Sequence, residues 1–262
     1  MSHKIAFGVD VGGSGIKGAP VDLKTGKLVG ERVRIPTPQP ATPEAVAEVI
    51  AQVVNSFDLP HNSPVGVAFP APIDHGVVRF IANLDHSFTG VNLLELVSEA
   101  TGRLVAVVND ADAAGFAEQR YGAAAGIAGT ILVVTLGTGI GSALIVDGVL
   151  VPNTELGHLE IAGYDAEYQA ADSARERENL SFPAWAERLQ KYFEVVEMLL
   201  SPDLIVVGGG VSKYYKEFLP LLQLRAPIIP AKLFNQAGIV GAAAYAASEK
   251  KKAKVGKDKK HH

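Results

Sequence analysis

Two glycine-rich segments, each following an apolar run, have the composition of anion-binding turns. The first occurs in VDVGGSGIKG (residues 9–18) and the second in LGTGIG (residues 136–141). Because glycine has no Cβ, backbone amides in such turns can approach phosphate oxygens closely, and neighbouring hydroxyl and ammonium groups add to the attraction. The predicted phosphate-binding residues are Gly12, Gly13, Ser14, Gly15, Lys17, Gly137, Thr138 and Gly139. Either segment alone is equally compatible with an ordinary glycine hairpin.

A third glycine segment, VVGGGVS, lies between an apolar run and a predicted helix. Gly208, Gly209 and Gly210 could approach a nucleotide there, since the first turn of a helix offers unpaired amides to a phosphate. The same glycines could instead permit close packing of a strand on a helix. The first two segments are not Walker or Rossmann motifs, because GxxxxGK[ST] is absent from the first and strand-like SALIVDG follows the second.

Two aspartates follow apolar runs at positions suited to phosphoryl transfer. Asp10 ends the first run and could hold a magnesium-bound water, whereas Asp110 follows RLVAVVN. Transfer to an alcohol needs a carboxylate that accepts the hydroxyl proton, and Asp110 is the candidate for this role. It could instead cap the following helix, a role that Asn109 or Asp112 could also fill.

The segment ELGHLE groups side chains that donate and accept hydrogen bonds in fixed directions, as sugar hydroxyls require. Glu155 and His158 are its stronger pair, with Glu160 nearby. A lone histidine can also be purely structural. A zinc site would need further ligands, and the chain has no cysteine and no HExxH pattern.

The elements around these residues indicate an α/β protein. Three strand-like runs open the chain as an antiparallel meander, and a helix follows with Thr42 as N-cap and Pro43 at its first position. Strands and helices then alternate, which predicts parallel pairing. The second half again begins with strand, glycine turn and strand. Further helices are predicted over residues 182–200, 214–223 and 236–251.

Composition is that of an ordinary globular chain: 262 residues, 48% hydrophobic, with a net charge of −4. Residues 249–262 contribute seven lysines against two acidic groups, so residues 1–248 carry 17 basic and 26 acidic groups, or −9. The basic tail is expected to be disordered. Without cysteines, a leader-like start or a membrane-length apolar run, a cytoplasmic protein that contacts neither membrane nor nucleic acid is expected.

The motifs VDVGGSGIKG, NDADAAG, TLGTGIGS, ELGH and VVGGGVS occur in the order found in the ROK family of repressors and sugar kinases. The resemblance spans residues 4–247 and is strongest to its polyphosphate glucokinases and glucomannokinases. It implies an actin-like (ribonuclease H-like) duplicated two-lobe fold, each lobe a mixed sheet with helices, and an active site in the interlobe cleft. The expected domains are 1–109, 110–248 (its last helix returning to the first lobe) and a tail, 249–262.

The resemblance also implies residue roles. Asp110 resembles the family's catalytic base, and the glycine turns resemble its phosphate cradle, with magnesium as cofactor. The sugar ligands implied are Asn83, Asn109, Asp110, Glu155, His158 and Glu167. Many members carry a cysteine-rich zinc motif between that histidine and glutamate. Here LEIAGYDA contains no cysteine, so no zinc is expected and the alignment at Glu167 is weakened.

The activity implied is phosphorylation of glucose or mannose at the 6-hydroxyl by polyphosphate or ATP, by direct transfer, in a chain that could form the family's homodimer. Polyphosphate needs cations beyond a nucleotide pocket. Candidates in the second half are Arg175, Arg177, Arg188, Lys191, Lys213, Lys216 and Lys232. Each could equally be a solvated surface charge.

Three other functions stay open. One is a strictly ATP-dependent hexokinase or N-acylmannosamine kinase of the same family. Another is a sugar-sensing protein without catalysis, which would not need Asp110. The third is an actin-like filament protein or chaperone ATPase, which has no need of ELGH. A family repressor is not expected, since nine residues precede Asp10 and leave no room for a DNA-binding domain.

Overall fold

The computed structural model describes residues 4–81 and 84–258, with side chains up to residue 252. The chain forms two compact units, residues 1–113 with 236–262 and residues 114–235. The strands are β1 Ile5–Gly12, β2 Gly15–Asp22, β3 Lys27–Leu28, β4 Val33–Ile35, β5 Val65–Phe69, β6 Ile73–Asp74, β7 Val77–Val78, β8 Val105–Asn109, β9 Thr130–Leu136, β10 Ile140–Val146, β11 Val149–Val151, β12 Glu160–Ile161, β13 Tyr164–Asp165, β14 Leu204–Gly208 and β15 Ile228–Pro230. The helices are α1 Pro43–Asn55, α2 Leu93–Thr101, α3 Asp110–Tyr121, α4 Ala166–Ala170, α5 Asp172–Arg177, α6 Phe182–Leu200, α7 Tyr215–Phe218 and α8 Ala237–Asp258.

The first unit is built on a mixed sheet of order β3-β2-β1-β5-β8, with β4 also paired to β2. β1 and β2 form an antiparallel hairpin, and β1, β5 and β8 run parallel. The predicted meander is present, but its third run is split into β3 and β4 around Gly30, whose φ is +86°. Thr42 accepts a hydrogen bond from the Ala45 amide, which confirms the predicted N-cap of α1.

Helix α8 packs directly on the first sheet at two glycines. A Cβ on Gly8 would lie 1.9 Å from the carbonyl oxygen of Ile239, and one on Gly66 would lie 1.8 Å from that of Ala242. Any side chain at either position would therefore separate the helix from β1 and β5. The last long helix of the chain completes the unit in which the chain begins.

The second unit has the sheet order β11-β10-β9-β14-β15, with β9 and β10 antiparallel and β9, β14 and β15 parallel. Helix α6 buries Trp185, Leu189, Phe193 and Val196 in this unit's core. Fully burying side chains of this size contributes about 1.5–3 kcal/mol each. Both units thus have the predicted mixed sheet with surrounding helices.

Two predicted segments differ in the structure. The helix expected over residues 214–223 is divided into a 3-10 turn, the four-residue α7 and another 3-10 turn over Leu219–Leu221. Pro220 accounts for the break, since it lacks an amide hydrogen. Helix α8 continues to Asp258, through part of the tail expected to be disordered. Lysine and alanine favour helix there, and Lys252 pairs with Glu249 at 2.7 Å. No helix within the described ranges is long and apolar enough to cross a membrane.

Candidate active site

The first glycine turn closes the β1–β2 hairpin, with Gly12 opposite Gly15 and Gly13 and Ser14 as its two loop residues. The carbonyl groups of this turn are anchored by side chains from further along the chain. The buried Thr37 hydroxyl donates to the Gly12 carbonyl, and the Arg34 guanidinium donates to the Ser14 carbonyl at 2.7 Å. The turn is therefore held from its carbonyl side.

Asp10 lies beside this turn and against the start of α8. A Cβ on Gly238 would lie 3.0 Å from the Asp10 carboxyl carbon, and the Lys17 ammonium is 3.9 Å from a carboxylate oxygen of Asp10. Burial raises the pKa of Asp10, while Lys17 and Arg32 oppose that shift. Magnesium at phosphate sites is commonly held by one or two carboxylates together with waters and phosphate oxygens, so this single carboxylate fits the predicted role.

Asn109 and Asp110 lie where β8 passes into α3. The Asn109 side-chain oxygen accepts hydrogen bonds from the amides of Ala111 (2.9 Å) and Asp112 (3.1 Å), so Asn109 performs the capping role. Asp110 is exposed, and one of its carboxylate oxygens accepts from the Ala111 amide at 2.8 Å. Since the cap is provided by Asn109, the helix does not need Asp110 for this purpose.

The strand register places the first turn and Asp110 at one edge of the same sheet. Asp10 is opposite Ala68 of β5, and Phe69 of β5 is opposite Asn109 of β8. β1 and β8 are therefore separated by one strand, which corresponds to about 10 Å between them. The carboxyl ends of these parallel strands bring the predicted metal-binding residue and the predicted base to a common edge.

The second glycine turn joins β9 to β10 and is held by two side chains. The Ser173 hydroxyl donates to the Thr138 carbonyl at 2.6 Å, and the Ser173 amide donates to the Gly137 carbonyl at 3.1 Å. The Glu167 carboxylate accepts the Ile140 amide at 2.8 Å. A Cβ on Gly139 would lie 2.2 Å from that same carboxylate. Glu167, predicted as a sugar ligand, thus also supports the predicted phosphate turn.

The segment Glu155–His158 is packed on β10. A Cβ on Gly157 would lie 2.2 Å from the Ile140 carbonyl oxygen, so only glycine permits this approach. The Ser142 hydroxyl oxygen accepts the Leu156 amide at 3.1 Å. These contacts fix the short 3-10 turn of Leu156–His158 next to the second glycine turn.

Asp165 orients His158, a role that the sequence analysis missed. His158 Nδ1 lies 3.1 Å from one oxygen of Asp165, while the other oxygen accepts the Tyr168 amide at 3.1 Å and caps α4. Burial lowers the pKa of His158, but Asp165, Glu167 and Glu155 outweigh it, so that the pKa is raised. The position of Asp165 just before the AEYQA helix could have predicted the cap. Nothing in the local sequence indicated its contact with His158.

Glu155 is electrostatically coupled to the same group. Burial raises the pKa of its carboxyl, His158 opposes the shift and Glu167 adds to it. Glu155, His158 and Glu167 of the second unit therefore influence one another's pKa, and their role as sugar ligands stays a prediction. Asn83, the remaining predicted sugar ligand, lies outside the described residues.

The third glycine segment ends β14, where Gly208 is opposite Thr135 of β9. It therefore lies at the same sheet edge as the second glycine turn. Gly209 has a φ of +84°, and a Cβ there would lie 2.1 Å from the Leu136 carbonyl oxygen. Close packing requires glycine at this position, and nucleotide binding by Gly208, Gly209 and Gly210 stays a prediction.

The arginines predicted to bind polyphosphate are engaged with carboxylates. Arg175 contacts Asp172 at 2.7 Å, while Arg177 and Arg188 contact the two oxygens of Glu178 at 2.9 and 2.5 Å. This pairing lowers the pKa of Glu178 to about 2.

In the part of the chain that the structure describes, no three histidine, aspartate or glutamate side chains are grouped as a metal site.

The fold and these motifs together define a member of a known family. The ROK family model matches residues 6–171, and the chain belongs to the ROK family. Its predicted actin-like fold class is confirmed by the solved structures described next.

The chain is similar to relatives that phosphorylate sugars. A polyphosphate glucokinase of Mycobacterium tuberculosis is 49% identical over 243 residues, which cover 92% of this chain and 91% of that protein. A crystal structure of an inorganic polyphosphate/ATP-glucomannokinase from Arthrobacter sp. strain KM is 58% identical, with a TM-score of 0.89 over 94% of this chain and 99% of the other. A ROK hexokinase from Thermus thermophilus is 27% identical, with a TM-score of 0.77 over 95% and 99%.

Proposed function

We propose that the protein transfers the terminal phosphoryl group of inorganic polyphosphate or ATP to the 6-hydroxyl of glucose, and also of mannose. The similarity to a polyphosphate glucokinase and to a polyphosphate/ATP-glucomannokinase over more than nine-tenths of the chain supports this activity. The observation that carries the chemistry is in the first unit: Asp110 is exposed at the sheet edge that also bears the first glycine turn, and Asn109 provides the helix cap.

Asp110 acts as the general base. It accepts the proton of the sugar 6-hydroxyl as the oxygen–phosphorus bond forms, while the bond from phosphorus to the donor's bridging oxygen breaks and its electron pair stays on the donor. The products are the sugar 6-phosphate and a donor shortened by one phosphate, and the proton then passes to solvent. Backbone amides of the glycine turns stabilise the phosphoryl oxygens.

Asp10 would hold magnesium through a water. When bound, the ion neutralises charge on the phosphoryl oxygens. The pKa of Asp10, raised by burial, and the nearby Lys17 mean that this carboxylate is held in a partly desolvated position next to a cation. Asp10 would therefore gain a favourable partner when the donor and its metal ion bind.

Three of the proposed sugar contacts lie in the second unit. Glu155 and Glu167 would accept hydrogen bonds from sugar hydroxyls, Glu167 through the carboxylate that also accepts from the Ile140 amide. His158 would donate to or accept from a sugar hydroxyl. Asn83 and the amide nitrogen of Asn109 would add donors. Mannose is included because it differs from glucose in the direction of one hydroxyl, and the glucomannokinase supports that breadth.

Gly208, Gly209 and Gly210 would contact the nucleotide when ATP is the donor.

The protein would work in the cytoplasm, and it would form a homodimer of the kind that the sequence resemblance implies. A strictly ATP-dependent kinase is the second candidate, because glycine turns bind any terminal phosphate.

The test is a matrix of donors and sugars. We expect glucose 6-phosphate to form from polyphosphate in nucleotide-free buffer, and mannose 6-phosphate to form more slowly or equally fast. Product formed only with ATP would leave the ATP-dependent kinase as the function. Product formed with neither donor would contradict a sugar kinase altogether.

Asp110→Asn tests the mechanism. Removing a general base lowers turnover by about 100-fold to 10,000-fold, while substrate binding changes little. The control is Asp58→Asn, which removes an exposed carboxylate of the same unit and should leave the kinetics unchanged. Wild-type turnover in Asp110→Asn would rule out Asp110 as the base.

A further inference from the structure

Three charged residues form a row across adjacent strands beside the first glycine turn. Asp10 of β1 is directly opposite Lys17 of β2, and Lys17 is directly opposite Arg34 of β4. Both pairs are antiparallel, and directly opposed residues in such pairs project to the same face of the sheet. The row therefore extends from the predicted metal-binding carboxylate through two cations.

Arg34 lies flat against the turn itself. An ideal Cβ on Gly15 would be 2.6 Å from its Nε, 2.7 Å from its Cζ and 2.8 Å from one terminal nitrogen. The guanidinium can approach this closely only because residue 15 has no side chain. One of its N–H groups donates to the Ser14 carbonyl at 2.7 Å. The arginine is thus positioned by the backbone of the predicted phosphate cradle.

Arg34 keeps its charge available at that position. Its side chain is exposed, and among the side chains described, those of residues 4–81 and 84–252, it forms no ion pair with a carboxylate. A guanidinium has five N–H donors, so the bond to Ser14 leaves others for a ligand. By contrast, Arg175, Arg177 and Arg188, which the sequence favoured as polyphosphate contacts, are neutralised by carboxylates.

We propose that Arg34 binds the phosphoanhydride chain of the phosphoryl donor, with Lys17 beside it. This inference rests on the proposed function. The forked guanidinium matches two oxygens of one phosphate, whereas an ammonium offers a point charge. The glycine turn takes the phosphoryl group to be transferred, and Arg34 takes a phosphate that remains on the donor. Polyphosphate and ATP share this chemistry.

Arg34→Gln tests the inference. Glutamine keeps a polar, hydrogen-bonding side chain beside the turn, but it is shorter than arginine and has no charge. We expect KM for long-chain polyphosphate to rise about 10-fold to 100-fold, as for loss of a charge-assisted hydrogen bond, with KM for glucose unchanged. Arg34→Lys should recover part of the affinity. Parallel assays with ATP show whether Arg34 serves both donors or polyphosphate alone.

Arg103→Gln is the matched control. Arg103 is an arginine of the same unit whose guanidinium also donates to backbone carbonyls, those of Pro60 (3.1 Å) and Leu59 (3.5 Å). If such bonds only stabilise the fold, both variants lower the thermal unfolding temperature and neither changes KM for the donor. A donor KM that rises in Arg34→Gln alone supports the inference.

Binding without turnover separates the inference from the proposed function. Calorimetric titration with inorganic triphosphate and magnesium, in the absence of sugar, should show binding that weakens in Arg34→Gln and in high salt. Equal affinity and equal donor KM in wild type and Arg34→Gln would overturn the inference while leaving the kinase activity intact. Arg34-dependent binding in a wild-type protein that phosphorylates no sugar would instead contradict the proposed function.

Discussion

The two glycine turns have similar sequences, but the charged side chains that hold them have opposite signs. The first is held at its carbonyl groups by a hydroxyl and a guanidinium, from Thr37 and Arg34. The second is held at its carbonyl groups by Ser173 and at the Ile140 amide by a carboxylate, that of Glu167. A polyanion is therefore attracted to the first turn by a side-chain charge and repelled at the second. The first turn is therefore better suited than the second to hold the phosphoryl donor, whereas the second turn is held by one of the predicted sugar ligands, Glu167.

Among the variants that test this comparison, Gly139→Ala should have the largest effect on kcat/KM. The backbone of Gly139 is not in the left-handed region, so alanine is conformationally allowed, but its Cβ would displace Glu167 from the Ile140 amide. We expect kcat/KM to fall about 10-fold to 100-fold, as for loss of a hydrogen bond to a charged group. Gly137→Ala is the comparison: a Cβ there meets no atom within 4 Å, so it leaves the Glu167 carboxylate in place and changes only the predicted phosphate-binding backbone. Wild-type kinetics in Gly139→Ala would show that Glu167 does not support the turn.

Asp165→Asn should have a smaller effect, centred on His158. Asparagine is also a good N-cap, so α4 should persist, while the ring loses a negative partner. We expect the His158 pKa to fall and kcat/KM to decrease about 3-fold to 10-fold. Imidazole proton shifts followed by NMR from pH 5 to 9 measure this pKa, with His158→Gln to assign the signal. An unchanged titration would contradict the orienting role of Asp165.

The same titration has a consequence for stability. A histidine whose pKa is raised on folding contributes stability that is fully present below its unfolded pKa, near 6.5, and is lost as pH rises through the folded value. The wild type should therefore lose this contribution between pH 6.5 and the raised pKa. Asp165→Asn should show a weaker pH dependence in denaturant unfolding over that window.

Thr37→Val should have the smallest effect. It removes the hydroxyl that donates to the Gly12 carbonyl at nearly constant side-chain shape, and we expect a loss of about 1 kcal/mol in stability and an increase of about 2-fold to 5-fold in donor KM. Thr101→Val is the control, because the Thr101 hydroxyl also donates to a backbone carbonyl, that of Val97 within α2. A donor KM that changes equally in both variants would indicate general destabilisation.

Local patterns predicted much of this structure. The cap at Thr42 and both glycine hairpins are determined by residues within a few positions of one another. The order of the motifs along the chain was sufficient to predict the family and the mixed sheets.

Contacts between distant residues could not be predicted in the same way. The sequence offered Asn109, Asp110 and Asp112 as equal candidates for one cap, and the hydrogen bonds of the fold selected Asn109. Arg34 reaches Ser14 from 20 positions away, and Glu167 reaches Ile140 from 27. Such pairs depend on strand register and on chain path, neither of which has a local signature.

The contact of α8 with Gly8 and Gly66 also bears on how the protein is made. The strands β1, β5 and β8 precede residues 114–235 in synthesis, whereas the helix that covers them follows those residues. Residues 114–235 are contiguous and can fold during translation, as domains generally do. One face of the first unit's sheet therefore stays uncovered until α8 has been synthesised. The first unit is completed only after residues 114–235 are made.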